Sequence, residues 1–318
     1  MKEEQRFTTV SPLVALTAIL RCPYCSGPLA LADRTLVCPV GHRFDLAREG
    51  YVNLSRSRQT GDSVEMLRAR RRFLDAGHYQ PLSDLINRLV AEHRPNVPRM
   101  VLDAGCGEGY YLGRLSQHLT RQPASLPSST GNPRPWSGDR PKLGQMAASP
   151  IRALGLDAAK EAVRMAAGRY RDAAFMVVDL TKRLPLTAGT IDVLLNIFAP
   201  RHAEEFARVL RPDGLLLTVI PQPDHLAEVR RRLPMLGIED RKEDQVRATL
   251  GKSFVPVGVE RLSYPLSLTR EAVGDLVEMT PSARHLDATA RADLAALGSD
   301  PLTVTVSFLV LSFRPRYT

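Results

Sequence analysis

Cysteine is scarce in this chain, four residues in 318, and three of the four crowd between positions 22 and 38. Such tight spacing without a secretory signal argues for metal ligation before a disulfide framework. Long apolar runs are also missing. The stretch Leu13 to Leu20 is too short for the ~20-residue helix that crosses a bilayer, and Met1 to Val10 has mixed charge and no signal-peptide character. These absences exclude a membrane role and make a cytoplasmic protein the expectation. Acids are the deficient charge, 34 against 43 basic residues for a net +9. The surplus is local: between Arg43 and Arg72 there are eight arginines and four acids. Phosphate-rich partners suit such a surface, with a solvated helix face as the plain alternative.

What is present begins with Cys22-Pro-Tyr-Cys25 and Cys38-Pro-Val-Gly-His42, separated by twelve residues. Two short ligand pairs at this spacing suit one tetrahedral Zn²⁺ held by Cys22, Cys25, Cys38 and His42. Between them, Pro28 to Val37 carries apolar residues on both sides of a turn at Asp33-Arg34, so a hairpin is expected. A ribbon this small cannot build a core without metal. The competing reading is a reducible thiol cluster.

The length allows two or three domains. Residues 1–20 read as an extension, either a short docking helix or a disordered start, and residues 21–60 as the zinc ribbon. A helical linker is expected over 61–98, where Met66, Leu67, Phe73, Leu82, Leu85, Ile86 and Leu89 recur at three- and four-residue intervals. From 99 to 318 short apolar runs alternate with helical stretches. The runs are Met100–Asp103, Ala153–Asp157, Ala174–Val178, Ile191–Leu195 and Leu215–Ile220. They predict an α/β domain with a doubly wound, mostly parallel sheet. Phe254–Pro265 and Thr303–Phe313 would add an antiparallel hairpin and bring it to seven strands. From Thr120 to Ile151 six prolines and many Ser, Gly and Asn residues surround the single Trp136. This composition predicts a flexible insertion at 120–150.

The first apolar run leads into Asp103-Ala-Gly105-Cys-Gly107-Glu108-Gly109, a D-x-G-x-G-x-G loop at a helix start. The dinucleotide fingerprint G-x-G-x-x-G places its third glycine further into the helix, at a pyrophosphate. An acid two residues before the loop would repel a diphosphate but pair with an ammonium, so S-adenosyl-L-methionine fits better than NAD. Asp157 closes the second run, where it can accept ribose hydroxyls, and Asp179 closes the third, within reach of an adenine amine. Either can instead cap a helix. Cys106 reads as a packing residue. Asn196 to Pro200 and Pro221 to His225 follow the fourth and fifth runs and therefore face the pocket. There Phe198 can stack on a flipped base or simply pack in the core.

With its ribbon CPYC…CPVGHRFD, then REGYVNL, FLDAGHYQPL, LDAGCGEGYY, NIFAPRH, LRPDG and PQPDHLAEV, the sequence resembles the bacterial 23S rRNA (guanine-N1-)-methyltransferases. The match runs from Arg21 to about Ser312 and is closest to the branch that includes the tylosin-resistance methyltransferase. The resemblance implies a Rossmann-like S-adenosylmethionine-dependent domain and zinc on the four ligands already named. It implies cofactor contacts from Tyr79, Gly107, Glu108 and His225, which join Asp103, Gly105, Gly109, Asp157, Asp179 and Asn196. The implied reaction methylates N1 of a guanine in a 23S hairpin lining the exit tunnel, of the guanine-748 type. Arg56, Arg58, Arg68, Arg70, Arg71 and Arg72 would then grip RNA. Asp224 and His225 are the nearest candidates for a general base, with water as the alternative. A small-molecule methyltransferase would not need the ribbon, and a non-catalytic rRNA-binding assembly factor would tolerate decay of the glycine loop. A homodimer is left open.

Overall fold

The computed structural model describes residues 12–56, 61–93, 99–121, 151–233, 241–280 and 300–316. At the ribbon, β1 (Ala30–Ala32), β2 (Thr35–Val37) and β3 (Arg43–Asp45) form an antiparallel three-stranded sheet. Its first hairpin turns where expected, with Asp33 in the left-handed region at φ 54°, a conformation that Asp tolerates better than most residues.

An eight-stranded sheet forms the main body. Its strands are β4 (Val52–Asn53), β5 (Met100–Ala104), β6 (Arg152–Asp157), β7 (Ala173–Val177), β8 (Ile191–Ile197), β9 (Leu210–Pro221), β10 (Phe254–Leu268) and β11 (Leu302–Pro315). They lie in the order β10-β11-β9-β8-β5-β6-β7-β4. The central pairings are parallel and the late hairpin is antiparallel on β9, as expected. The eighth strand corrects the seven-strand expectation. Val52 and Asn53, at the end of the ribbon segment, pair in parallel with Met176 and Val177 at the sheet edge. β5, β7 and β8 are buried along their whole length, which explains their unbroken apolar runs: helices cover both faces.

The helices are α1 (Val64–Asp75), α2 (Gln80–His93), α3 (Tyr110–Arg121), α4 (Lys160–Arg169), α5 (Ala203–Val209), α6 (Ala227–Arg230), α7 (Lys242–Leu250) and α8 (Arg270–Glu278). Ser63 caps α1 by accepting the Met66 N–H. The segment expected to be a linker is part of the main core. Phe73 of α1 and Leu82, Ile86 and Leu89 of α2 are buried with Leu115, Val193 and Val273 in one cluster. Each such side chain contributes about 1.5–3 kcal/mol, too much for a passive tether.

The opposite face of the sheet is covered from the N-terminal side. A 3₁₀ helix (Val14–Ile19) buries Leu13, Leu16 and Leu20 in the same cluster as Leu36 of the ribbon, Leu102, Phe206 and Val246. Of the insertion, only Thr120 and Arg121, the end of α3, and Ile151, just before β6, are described; positions 122–150 lie outside the described residues.

Candidate functional site

Two tight turns bring the four metal-ligand candidates together. In the first, Ser26 N–H donates to the Cys22 carbonyl; in the second, Gly41 N–H donates to the Cys38 carbonyl, with Gly41 at φ +95°. His42 Nδ1 lies 3.5 Å from Cys22 Sγ and 3.3 Å from Cys38 Sγ, and the Cys25 and Cys38 sulfurs are 3.6 Å apart. All four ligand atoms lie within 4.8 Å of one another. Bonds of about 2.3 Å to sulfur and about 2.0 Å to nitrogen give tetrahedral edges of roughly 3.5–3.8 Å, so the set fits one Zn²⁺ in a closed, structural site. Tyr24 stacks on the His42 ring at 5.0 Å, and Arg56 lies over the outer Tyr24 ring at 5.2 Å. Arg58 lies outside the described residues.

On the main body, β5 ends in the glycine loop. Gly105, Gly107 and Gly109 have φ of +101°, +53° and +87°, a region glycine enters without the Cβ penalty. A Cβ on Gly105 would stand 2.2 Å from the Ala199 Cβ. The carboxylate of Asp157 accepts N–H bonds from Gly107 at 2.9 Å and Ala159 at 2.8 Å. It thus shapes the loop, and a ribose would meet only its remaining lone pairs.

Asp103 is 1% exposed and its Oδ1 has no hydrogen-bond partner. Burial, reinforced by the charges of Asp157 and Glu108, pushes its pKa up to about 8. Glu108 is also buried, with Oε2 unpartnered. Burial raises its pKa, against the lowering influence of Arg71, Arg169 and Arg70. Two buried acids, each with an orphaned oxygen, at a glycine-rich loop suit a cationic ligand. An S-adenosylmethionine molecule, with its ammonium and sulfonium, fits that donor set.

The other expected cofactor residues take varied places. Asp179 Oδ1 accepts from the N–H and hydroxyl of Thr181. Asn196 is fully buried, and its amide donates to the carbonyls of Ala104 and Pro200 at 3.2 and 3.0 Å. Its amide group thus ties the ends of β5 and β8 together, leaving Oδ1 alone without a partner. Tyr79 and His225 meet: the Tyr79 oxygen is 3.3 Å from His225 Nε2, and His225 Nδ1 accepts the Ser307 N–H at 3.1 Å. Burial, with help from Arg230 and against Asp224, holds the His225 pKa down to about 3. Asp224 beside it is exposed.

Residues 20–55 match the family described as RlmA, N-terminal, and residues 139–218 a methyltransferase domain. A putative 23S rRNA (guanine-N1-)-methyltransferase of Micromonospora griseorubida is 40% identical over 316 residues, 93% of this chain and 97% of the relative. The chain belongs to the 23S rRNA (guanine-N1-)-methyltransferase family. A 23S rRNA (guanine(748)-N1)-methyltransferase of Streptomyces fradiae is 38% identical, with 92% and 95% covered. A putative family member of Bacillus subtilis is 28% identical, with 92% and 96% covered. Among the described residues no helix is long and apolar enough to cross a membrane.

In this methyltransferase the arginines after the ribbon divide their work. Arg70 pairs with Asp62 at 2.7 Å and donates to the Met279 carbonyl. Its Nη1 would be 3.6 Å from a Cβ on Gly107, so it stands over the glycine loop. Arg72 forms a forked pair with Asp275 of α8. Arg71 donates to the Met165 carbonyl, and Arg68 is exposed.

Sequence reasoning missed Phe308, whose ring lies 4.6–5.2 Å from those of His225, Tyr79 and Phe198. Nothing distinguishes it from other apolar residues of β11. It also missed the backbone of Phe198, left-handed at φ 53° and 44% exposed. A bulky residue there is a conformational outlier of the kind that gathers at functional sites.

Proposed function

We propose that this protein transfers a methyl group from S-adenosylmethionine to N1 of a guanine in 23S rRNA, the guanine-748 type of target in an exit-tunnel hairpin. The observation that carries the reading is Asp103, a buried acid whose Oδ1 lacks a partner, beside a glycine loop in a chain that also carries a zinc ribbon. Bound there, S-adenosylmethionine supplies an electrophilic methyl group on a sulfonium. Asp103 holds the ammonium, Asp157 and the glycines set the floor, and Tyr79, His225 and Phe308 close one wall. Phe198 offers an exposed ring at the strand end where an unstacked base would lie. Alignment and water exclusion are the protein's main contribution to an in-line displacement.

Guanine N1 carries a proton at neutral pH, and that proton must leave as the N1–methyl bond forms. His225 is not its acceptor. Nδ1 takes the Ser307 N–H, so the ring proton sits on Nε2 and points to Tyr79, leaving no free lone pair. The histidine positions Tyr79, and the proton passes to water or to the exposed Asp224. The ribbon, Arg56, Arg58 and, on α1, Arg68 and Arg71 hold the surrounding RNA.

The guanine-748 assignment is supported by the NIFAP and PQPDHLAE segments and the similarity to the Streptomyces fradiae enzyme; it implies protection against tylosin-type macrolides. The test is transfer of labelled methyl to 23S fragments carrying that hairpin. Incorporation is expected, and its loss when the target guanine becomes adenine. Equal incorporation in the adenine variant would refute the target.

A further inference from the structure

Away from the glycine loop, a cleft of about 480 Å³ opens between α1 and α4. Arg68, Arg71 and Arg72 line one wall, Arg164 and Arg169 the other, and Glu49 of the ribbon segment stands at the side. Three of these arginines already have carboxylates: Arg72 has Asp275, Arg164 has Glu161 and Arg169 has Asp75. Among the described residues, Arg68 and Arg71 form no ion pair. Arg71 lines the cleft with one Nη on the Met165 carbonyl and no carboxylate, so its charge is open to an anion entering there.

With Arg72, Arg164 and Arg169 paired, the charge left uncompensated in the cleft is that of Arg68 and Arg71. Their forked donors match an anion with several oxygens. The position is informative as well. Arg71 and Arg169, which line the cleft, also hold down the pKa of Glu108 in the glycine loop, so the cleft lies on the Glu108 side of that loop. Its outer side reaches Glu49, close in sequence to the strand that joins ribbon to sheet. A strand held by the ribbon and inserting a nucleotide into the pocket would pass between the two.

We propose that this cleft binds the phosphodiester backbone of RNA beside the target nucleotide, through Arg68 and Arg71 of α1 and Arg164 and Arg169 of α4. The inference rests on the rRNA reading above and adds α4, which the arginine cluster in the sequence does not reveal.

The test compares full-length wild type, Arg68→Gln, Arg164→Gln and the double variant in binding a 23S hairpin fragment over a range of salt. Neither residue touches the glycine loop, so calorimetric affinity for S-adenosylmethionine should stay at the wild-type value, which also confirms folding. Each substitution should reduce the log-log salt slope by about 0.7–0.9, and the double variant should bind roughly ten- to thirtyfold more weakly at physiological salt. Arg68→Lys should retain the wild-type slope. Arg88→Gln, outside the cleft on α2, should change nothing. Unchanged slopes in a double variant whose wild-type parent binds the hairpin would overturn the cleft while leaving the function intact. Failure of the wild type to bind the hairpin would overturn both.

Discussion

His225 and Tyr79, 146 positions apart in sequence, meet in a buried contact of 3.3 Å between Nε2 and the phenol oxygen. Because Ser307 N–H occupies Nδ1, the imidazole is locked neutral and donates through Nε2. Loss of a general base costs typically 10²–10⁴-fold and removes a limb of the pH profile. For His225→Asn, whose amide oxygen can replace Nδ1 as acceptor of the Ser307 N–H while the contact to Tyr79 is lost, a fall of about tenfold or less is expected. The shape of kcat against pH should not change. Disappearance of a limb in the variant would make His225 the base.

Asp103 should make cofactor binding depend on pH. Its pKa in the folded protein is pushed up to about 8, so below that value the carboxyl is largely protonated, whereas an ammonium ligand requires it ionised. The sign follows: affinity rises as pH increases toward 8, by up to about tenfold per unit, with release of up to about one proton on binding. Calorimetry from pH 6 to 7.5, in buffers of different ionisation enthalpy, reads both quantities while the ligand's own amine stays charged. In Asp103→Asn the dependence should vanish and affinity fall. A flat wild-type profile without proton release would remove Asp103 from the ammonium site.

Zinc should stabilise more than the ribbon. Cys22, Cys38 and Leu36 share a buried cluster with Leu102 and Leu154 of the central sheet, so losing the metal undermines one face of the main body. Bound zinc at about 1,000-fold over its dissociation constant is worth about 4 kcal/mol. Cys38→Ser should therefore lower zinc content and shift the melting of the whole chain, measured by elemental analysis and calorimetry. An unaltered melting transition in zinc-depleted protein would mean that ribbon and body fold independently.

Replacing residues 122–150 by a few Gly and Ser residues should leave methylation intact. α3 and β6 lie on either side, and β6 is held in register by its pairing with β5. Loop closure depends weakly on length, so stability should change by roughly 1 kcal/mol or less. Several linker lengths should be compared by thermal melting, cofactor binding and rRNA methylation. If every version folds and binds cofactor but none methylates, the segment contacts substrate.

The parts legible in the sequence are those whose chemistry is local. A metal quartet, a glycine loop and apolar strand runs each declare themselves within about twenty residues, and the structure places them as expected. What escaped depends on tertiary contacts. β4 is two residues long, too short for any period to reveal. Arg70 and Arg72 look like free positive charge until folding brings Asp62 and Asp275 to them. The ring cluster of Tyr79, His225 and Phe308 joins three distant segments, and nothing in the type or spacing of Phe308 sets it apart. Helical periodicity reveals the helices of 64–93 and their apolar face without saying what covers it.

The most direct test of the central claim is to methylate unmodified 23S rRNA with the purified protein, digest it to nucleosides, and locate the product by mass spectrometry and reverse transcription. Methylation at N1 blocks the pairing edge of guanine, so the account predicts 1-methylguanosine and a single transcription stop one nucleotide before the guanine-748 position. A methyl group at another guanine atom or another base, or transfer only to small molecules, would contradict it.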